Sequence, residues 1–185
     1  MKQCGMMKRV LCLVADGVEE LELVAPVDVL RRAGCEVVLA AVGEGIHVTG
    51  RNGITLHADT RLDEVVAADF EALLLPGGPA VKTLMEDERV LGLCRKFAEE
   101  DKGLAAICAA PLILDAAGLL AGRHFTAHAS VWETLEKTDC ESRVVVDGRL
   151  ITSRGAATAL EFALELAAAW VGPDRATEVA VAMGA

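Results

Sequence analysis

In the stretch KGLAAICAAPLIL, residues 102 to 114, Cys108 closes a short apolar run and is followed at once by small residues and Pro111. If GLAAIC is a strand and APLILDAAG the helix after it, the thiol occupies a tight strand-to-helix turn that lifts its sulfur above the sheet edge. Ala109 and Ala110 are small enough to let that turn close. Amide groups at the helix N-terminus would then favour a thiolate over a thiol. The other reading of Cys108 is a packed core cysteine, because free Cys is among the most buried residue types. DGVEELELVAP, farther upstream, offers three carboxylates, Glu19, Glu20 and Glu22. A charge run at a helix start is ordinarily a solvated face that complements the dipole. Glu22 differs in lying between Leu21 and Leu23, where partial desolvation would let it keep a proton or share one with a neighbour. In EALLLPGG the pair Gly77 and Gly78 can turn backbone N–H groups toward an open cavity as oxyanion donors. His47 and His57 belong to a hairpin-like stretch, whereas His124 and His128 bracket the run RHFTAH. A single His at a strand end is often only a hydrogen-bonding group, yet His128 falls where a strand would deliver it to the edge that carries Cys108. Thiol, carboxylate and imidazole converging from separate strands describe nucleophilic chemistry.

Positioning such groups requires a scaffold, and the chain alternates strand-like and helix-like segments. RVLCLVA (9 to 15), EVVLAAV (36 to 42), EALLLPGG (71 to 78), GLAAIC (103 to 108) and RHFTAH (123 to 128) are short apolar runs stopped by turn or charged residues. Near-continuous apolar runs suit strands covered on both faces. ELVAPVDVLRRAG carries a helical stripe of Leu23, Val27 and Leu30 with Gly34 as its stop, and DERVLGLCRKFAEEDKG carries Val90, Leu93, Cys94 and Phe97 and ends at Gly103. AATALEFALELAAAWVG and PDRATEVAVAMG predict two further helices. HVTGRNGITLHAD and RVVVDGRLITS place Asn-Gly and Asp-Gly between β-formers and predict two β-hairpins decorating the sheet. The expected fold is therefore α/β, a largely parallel sheet with helices on both faces, in which chemistry gathers beyond the carboxyl ends of the strands.

The 185 residues fit a single domain over 1–185 with ample core, since 53% are apolar and 25% charged. A net charge of −10 with scattered basic residues argues against nucleic-acid partners. No apolar stretch reaches the roughly twenty residues of a membrane span, and no cleavage-site pattern follows the N-terminus, so a cytoplasmic protein without membrane partners is expected. The six cysteines, at 4, 12, 35, 94, 108 and 140, form no C-x-x-C pair and no zinc-finger spacing, so each reads as a reduced, buried thiol and neither metal nor redox dithiol is expected.

GVEELELVAPVDVLRRAG, LLLPGG, AAICAAP, a histidine twenty residues later and TSRGAATALEFAL resemble, in order and spacing, the DJ-one branch of the ThiJ/PfpI superfamily over nearly the whole chain. The resemblance implies a flavodoxin-like sandwich, a homodimer and no cofactor. It implies Cys108 as the reactive elbow cysteine, Glu22 as the acid hydrogen-bonded to it and His128 as the nearby histidine. Gly78 and Ala109 match positions whose backbone N–H groups line the oxyanion site, and the resemblance implies Gly77 and Arg154, the arginine of the TSRG stretch, as substrate-binding residues beside them. A protease-like Cys-His pair of adjacent residues is absent, because Ala109 follows the cysteine, and the late H-x-E of triad glutamine amidotransferases is absent, because ASV follows His128. Three departures stand out: Arg51 beside Asn52 where relatives carry the hairpin arginine one place on, Ala110 for a glycine, and GAAT near Arg154 for a Gly-Pro-Gly stretch.

The chemistry this resemblance implies is cofactor-independent conversion of a small α-oxoaldehyde such as methylglyoxal, glyoxalase or deglycase in kind, through a Cys108 hemithioacetal. A different class uses the same thiol as an oxidative-stress sensor or chaperone-like protein whose cysteine becomes the sulfinic acid. A third is an inert scaffold whose partners assemble on the first helix. Reactivity of Cys108 against that of Cys4 separates the last from the other two.

Overall fold

The computed structural model describes residues 9–185; Cys4 lies outside the described residues. In chain order the elements are β1 (Arg9–Val14), α1 (Glu20–Ala33), β2 (Glu36–Ala41), β3 (His47–Thr49), β4 (Thr55–His57), β5 (Thr60–Arg61), β6 (Ala72–Leu75), α2 (Ala80–Met85), α3 (Glu88–Glu99), β7 (Gly103–Ile107), α4 (Pro111–Ala116), β8 (Val144–Asp147), β9 (Leu150–Ser153), α5 (Ala159–Trp170) and α6 (Pro173–Met183). Seven strands form one sheet in the order β5-β2-β1-β6-β7-β9-β8, parallel throughout except for the edge strand β8. Helices α1, α5 and α6 pack together on one face and α2, α3 and α4 on the other.

Coverage on both faces is why the central strands are apolar at every position rather than at alternate ones. Residues Val10 to Leu13 of β1, all of β6 and Ala105 to Ile107 of β7 are fully buried. Each buried Leu or Val contributes about 1.5–3 kcal/mol, and Leu73→Ala in the central strand would cost about 2–5 kcal/mol. Gly34 ends α1 at φ 101, a left-handed stop in which its N–H reaches the Arg31 carbonyl and that of Cys35 reaches Leu30. The stripes expected on α1 and α3 face inward as the spacing predicts.

Several expectations need correction. Residues 123–128 form no strand. The place beside β7 belongs to β9, and the segment instead spends its N–H groups on side chains and loops. Thr126 donates to Thr152 Oγ1 at 2.9 Å, His124 to Asp147 Oδ2 at 3.1 Å and His128 to the Cys108 carbonyl at 2.9 Å. The hairpin of β8 and β9 does not decorate the sheet but completes it, because β9 runs parallel to β7 from Leu104↔Leu150 to Ile107↔Ser153. The other hairpin, β3 with β4, does stand apart as a two-stranded sheet. α3 stops at Glu99, ahead of the left-handed Asp101 (φ 52), and Gly103 already opens β7. The two-residue β5 adds a parallel edge to β2 that no sequence pattern announces. Cys12, Cys35 and Cys94 are buried as expected, whereas Cys140 is exposed on the turn after Thr138, whose carbonyl accepts its thiol at 3.3 Å.

Candidate active site

The strand order reverses between β1, which pairs with β2 on one side, and β6, which leads to β7 on the other. Loops leaving the carboxyl ends of adjacent strands part at such a point and leave a crevice. Cys108 sits there, one residue past β7, at φ 66. A left-handed conformation in a residue with a Cβ costs about 1–2 kcal/mol and persists only where the surroundings fix it. Here they do: the Cys108 N–H donates to the Ser153 carbonyl at 2.8 Å, and its own carbonyl accepts from His128. The turn expected around Cys108 is thus a strained elbow pinned from β9 and from the 123–128 segment.

Glu22 reaches the sulfur from the first turn of α1. Only 1% of its surface is exposed, and its carboxyl is hydrogen-bonded to Cys108 and accepts the Gly77 N–H at 3.0 Å. Burial is the main force on this carboxyl and, with the nearby Glu19 charge, pushes it up to about 7, against the bonds from Cys108 and Gly77 and the charge of Arg51. The Cys108 thiol is pushed up to about 12, first by burial and then by the Glu22 charge and hydrogen bond, while N–H groups of Ala109 and Gly78 aimed at the sulfur pull it down. The turn amides do favour the thiolate, as expected, but burial and Glu22 outweigh them and push this sulfur toward the thiol. Two amides do not offset burial plus a carboxylate in contact, and only as the pH rises through about 7 is the pair left with a single proton.

The glycine pair divides its duties. Gly77 gives its N–H to Glu22, and a Cβ there would run into that carboxylate and the Cys108 Cβ. Gly78, at φ 89, passes close to the Gly17 carbonyl and aims its N–H at the sulfur. His128 lines the same cavity as Cys108 and Glu22, of about 450 Å³, with Ala109 and Gly78. Its Nδ1 accepts the Ser130 N–H at 3.2 Å and lies 2.9 Å from Ser130 Oγ, so in the neutral ring the proton resides on Nε2. No ring bond joins His128 to Cys108 among the described residues. Arg154 is placed elsewhere: it lines an adjoining cavity beyond His128, over the Trp132 ring.

Of the cavity-wall residues that were not among the expected site residues, two are charged, Glu19 and Arg51; the others are Pro79, Ser130 and Ala156. Glu19 and Glu20 are buried rather than solvated, because the β3–β4 hairpin folds over them. Gly17 N–H bonds the Thr49 carbonyl, Arg51 N–H bonds that of Val18, and Glu20 accepts from Asn52 N, Asn52 Nδ2 and Ile54 N. For Glu20 these bonds outweigh the upward pull of desolvation and hold its carboxyl below the usual value. Arg51 thereby arrives 3.3 Å from Glu19 at the cavity rim, so the hairpin arginine that departs in register still faces the site. Gly155 is also adjacent: a Cβ there would lie 3.2 Å from His128 Cδ2 and in van der Waals contact with Glu22 and Cys108.

Comparison with known proteins matches residues 8–169 to the DJ-1/PfpI family model. The chain is 38% identical over 177 residues to "Protein DJ-1 homolog B" of Arabidopsis thaliana, covering 94% of itself and 40% of that protein, so it spans less than half the length of that relative. It is 38% identical over 149 residues to "Deglycase TK1284" of Thermococcus kodakarensis, covering 79% of itself and 89% of that protein. The crystal structure of Drosophila melanogaster DJ-1beta superposes with a TM-score of 0.91 at 37% identity, over 96% of this chain and 98% of that one. The flavodoxin-like sandwich and the family resemblance expected from the sequence are both found.

Proposed function

The chain belongs to the DJ-1/PfpI family, and on that premise we propose that it is a cofactor-independent, cysteine-dependent enzyme acting on small α-oxoaldehydes such as methylglyoxal. The observation that carries this reading is the buried Glu22 carboxyl bonded to the Cys108 sulfur, with the Gly78 and Ala109 amides aimed at the same atom. As sulfur attacks the aldehyde carbon, the thiol proton passes to the Glu22 carboxylate. The S–C bond forms, and the carbonyl electron pair moves to oxygen, where the two amides receive the oxyanion; Glu22 gives the thiol proton up to that oxygen by way of His128, which completes the hemithioacetal and restores the carboxylate. Glu22 then carries a proton from the former aldehyde carbon to the neighbouring carbon through an enediol. The first carbon is thereby oxidised to a thioester and the second reduced to an alcohol. Water cleaves the thioester, returning the thiol and releasing a 2-hydroxy acid. His128, with Nε2 carrying its proton, serves the proton traffic at the oxygen. The resemblance of part of the chain to a protein named a deglycase supports the same reading.

Cys108→Ser tests it: lactate formation from methylglyoxal is lost by at least about 10³-fold while the circular dichroism spectrum is retained. Full turnover in C108S would refute the assignment. A second reading is favoured by the amides on the sulfur, which would equally stabilise a sulfinate if Cys108 were oxidised. Intact mass after graded peroxide, set beside methylglyoxal turnover, decides which reaction is the faster. The homodimer that the resemblance implies belongs to this reading too. It is supported by the exposure of Leu21 (60%) and Val24 (49%) on α1 and of Ile54 (56%) on the hairpin, and sedimentation velocity tests it. Among the described residues no helix is long and apolar enough to cross a membrane.

A further inference from the structure

His47 and His57 take no part in the chemistry above, and neither lines the Cys108 cavity. They stand directly opposite each other across the β3–β4 hairpin. Ladder bonds run from the Ala58 N–H to the Ile46 carbonyl at 2.7 Å and from the Gly50 N–H to the Ile54 carbonyl at 2.9 Å. Because bonded and non-bonded pairs alternate along an antiparallel ladder, His47↔His57 is a non-bonded pair, the kind in which opposed side chains stand closest. Both side chains are exposed, and their rings meet edge to face with centroids 4.8 Å apart. Among the described residues their ring nitrogens have no hydrogen-bond or ion-pair partner, in contrast to those of His124, held by Asp139, and His128, held by Ser130.

This spacing is that of two ligands on one ion. With metal–nitrogen bonds of about 2.0–2.1 Å, two imidazoles at an angle of roughly 90–110° on one metal have centroids about 4.5–5.2 Å apart. Each centroid lies close to the Cβ–Cγ axis, so turning the rings about χ2, a broad torsion, swings the nitrogens toward a common point while the rings keep their distance. The backbone is fixed beforehand. Gly53, at φ 86, closes the turn on the Gly50 carbonyl, and Glu20 accepts from Asn52 and Ile54, so the register presents both ligands at little ordering cost. Neighbouring charges do not oppose a cation. Asp28 and Arg31 of α1 line a cavity of about 240 Å³ with His57, and each is offset, Asp28 by Arg32 at 2.9 Å and Arg31 by Asp59 at 3.2 Å, in a chain of net charge −10.

We propose that His47 and His57 form a two-imidazole site for a late first-row divalent cation, Ni(II), Cu(II) or Zn(II), with water in the remaining positions. Imidazole suits these ions, whereas Mg(II) and Ca(II) take oxygen ligands. No third His, Cys, Asp or Glu joins the pair among the described residues, so the ion is exchangeable rather than enclosed as in a four-ligand structural site. It ties β3 to β4 at the open end of the hairpin whose turn carries Arg51 to the Cys108 rim. The site is independent of the Cys108 reading.

Two measurements test it. Zinc chloride is titrated into the isotope-labelled whole protein and followed by the imidazole NMR resonances; nickel and zinc chlorides are titrated by calorimetry into the whole protein, H47Q, H57Q and C108S. The expected result is one ion per chain, with the His47 and His57 rings shifting together while those of His124 and His128 stay. Affinity falls about 10²-fold or more in H47Q and in H57Q, because a single imidazole loses the gain from its linked partner, and C108S binds as the whole protein does. Both histidines are exposed, so H47Q and H57Q keep the circular dichroism spectrum of the whole protein. One ion per two chains, equal binding by H47Q or H57Q, loss of binding in C108S, or the same ring shifts with magnesium chloride overturns the site.

Discussion

Replacing Glu22 by Gln fixes the site in the form that the protonated acid would have, with an amide NH₂ to donate to the sulfur and a carbonyl to accept from Gly77. The consequence can be worked from the carboxyl's position. Its value in the folded protein is about 7 against an ordinary 4.5, mainly because burial disfavours the charge. At about 1.4 kcal/mol per pH unit, this corresponds to roughly 3 kcal/mol. Because the folded value is the raised one, this stability is fully present below pH 4.5 and is lost as the pH climbs through about 7. E22Q has no such loss. Its unfolding free energy in urea is expected to match that of the unmodified protein near pH 4.5 and to exceed it by up to roughly 3 kcal/mol at pH 8. Activity moves oppositely: kcat/KM for methylglyoxal rises with pH through about 7 in the unmodified protein, as Glu22 becomes the base. In E22Q the rising limb disappears and turnover falls by about 10²–10⁴-fold. A stability difference that stays flat from pH 5 to 8, or a rising limb that survives in E22Q, would refute the assignment of the shared proton to this pair.

Other outcomes follow from neighbouring contacts. Removing the Arg51 charge in R51A should move the rising limb to higher pH, and E19Q should move it lower, because the first charge lowers and the second raises the Glu22 value; pH–rate profiles read both. Thr152→Val leaves the buried Thr126 N–H without its acceptor and should lower unfolding free energy by about 1–3 kcal/mol, measured in urea. Gly78→Ala forces a Cβ within 2.5 Å of the Gly17 carbonyl oxygen at φ 89 and should cost about 2 kcal/mol or more, together with turnover, measured by thermal unfolding and lactate release.

The sequence by itself determined the layers and most of the site's members. Apolar runs such as ALLL and GLAAI, too continuous for a half-exposed strand, could only be covered on both faces, and Gly34 announced the end of α1 through its left-handed stop. A thiol at a strand end followed by small residues and proline marked the elbow, and a glutamate between two leucines marked a carboxylate that would be desolvated. Tertiary structure alone decided which backbone groups remained for which partner. RHFTAH has strand-like composition, but its hydrogen bonds go to Thr152, Asp147 and Cys108 because β9, arriving from farther along the chain, occupies the edge of β7. Glu19 and Glu20 look like any solvated helix start until the β3–β4 hairpin folds over them and brings Arg51 to the rim, a contact thirty-two residues long in sequence that no local spacing encodes. The state of the thiol was decided there as well, because the charge on a sulfur depends on how much water and how much carboxylate surround it, and both are set by packing between segments rather than by the residues beside it.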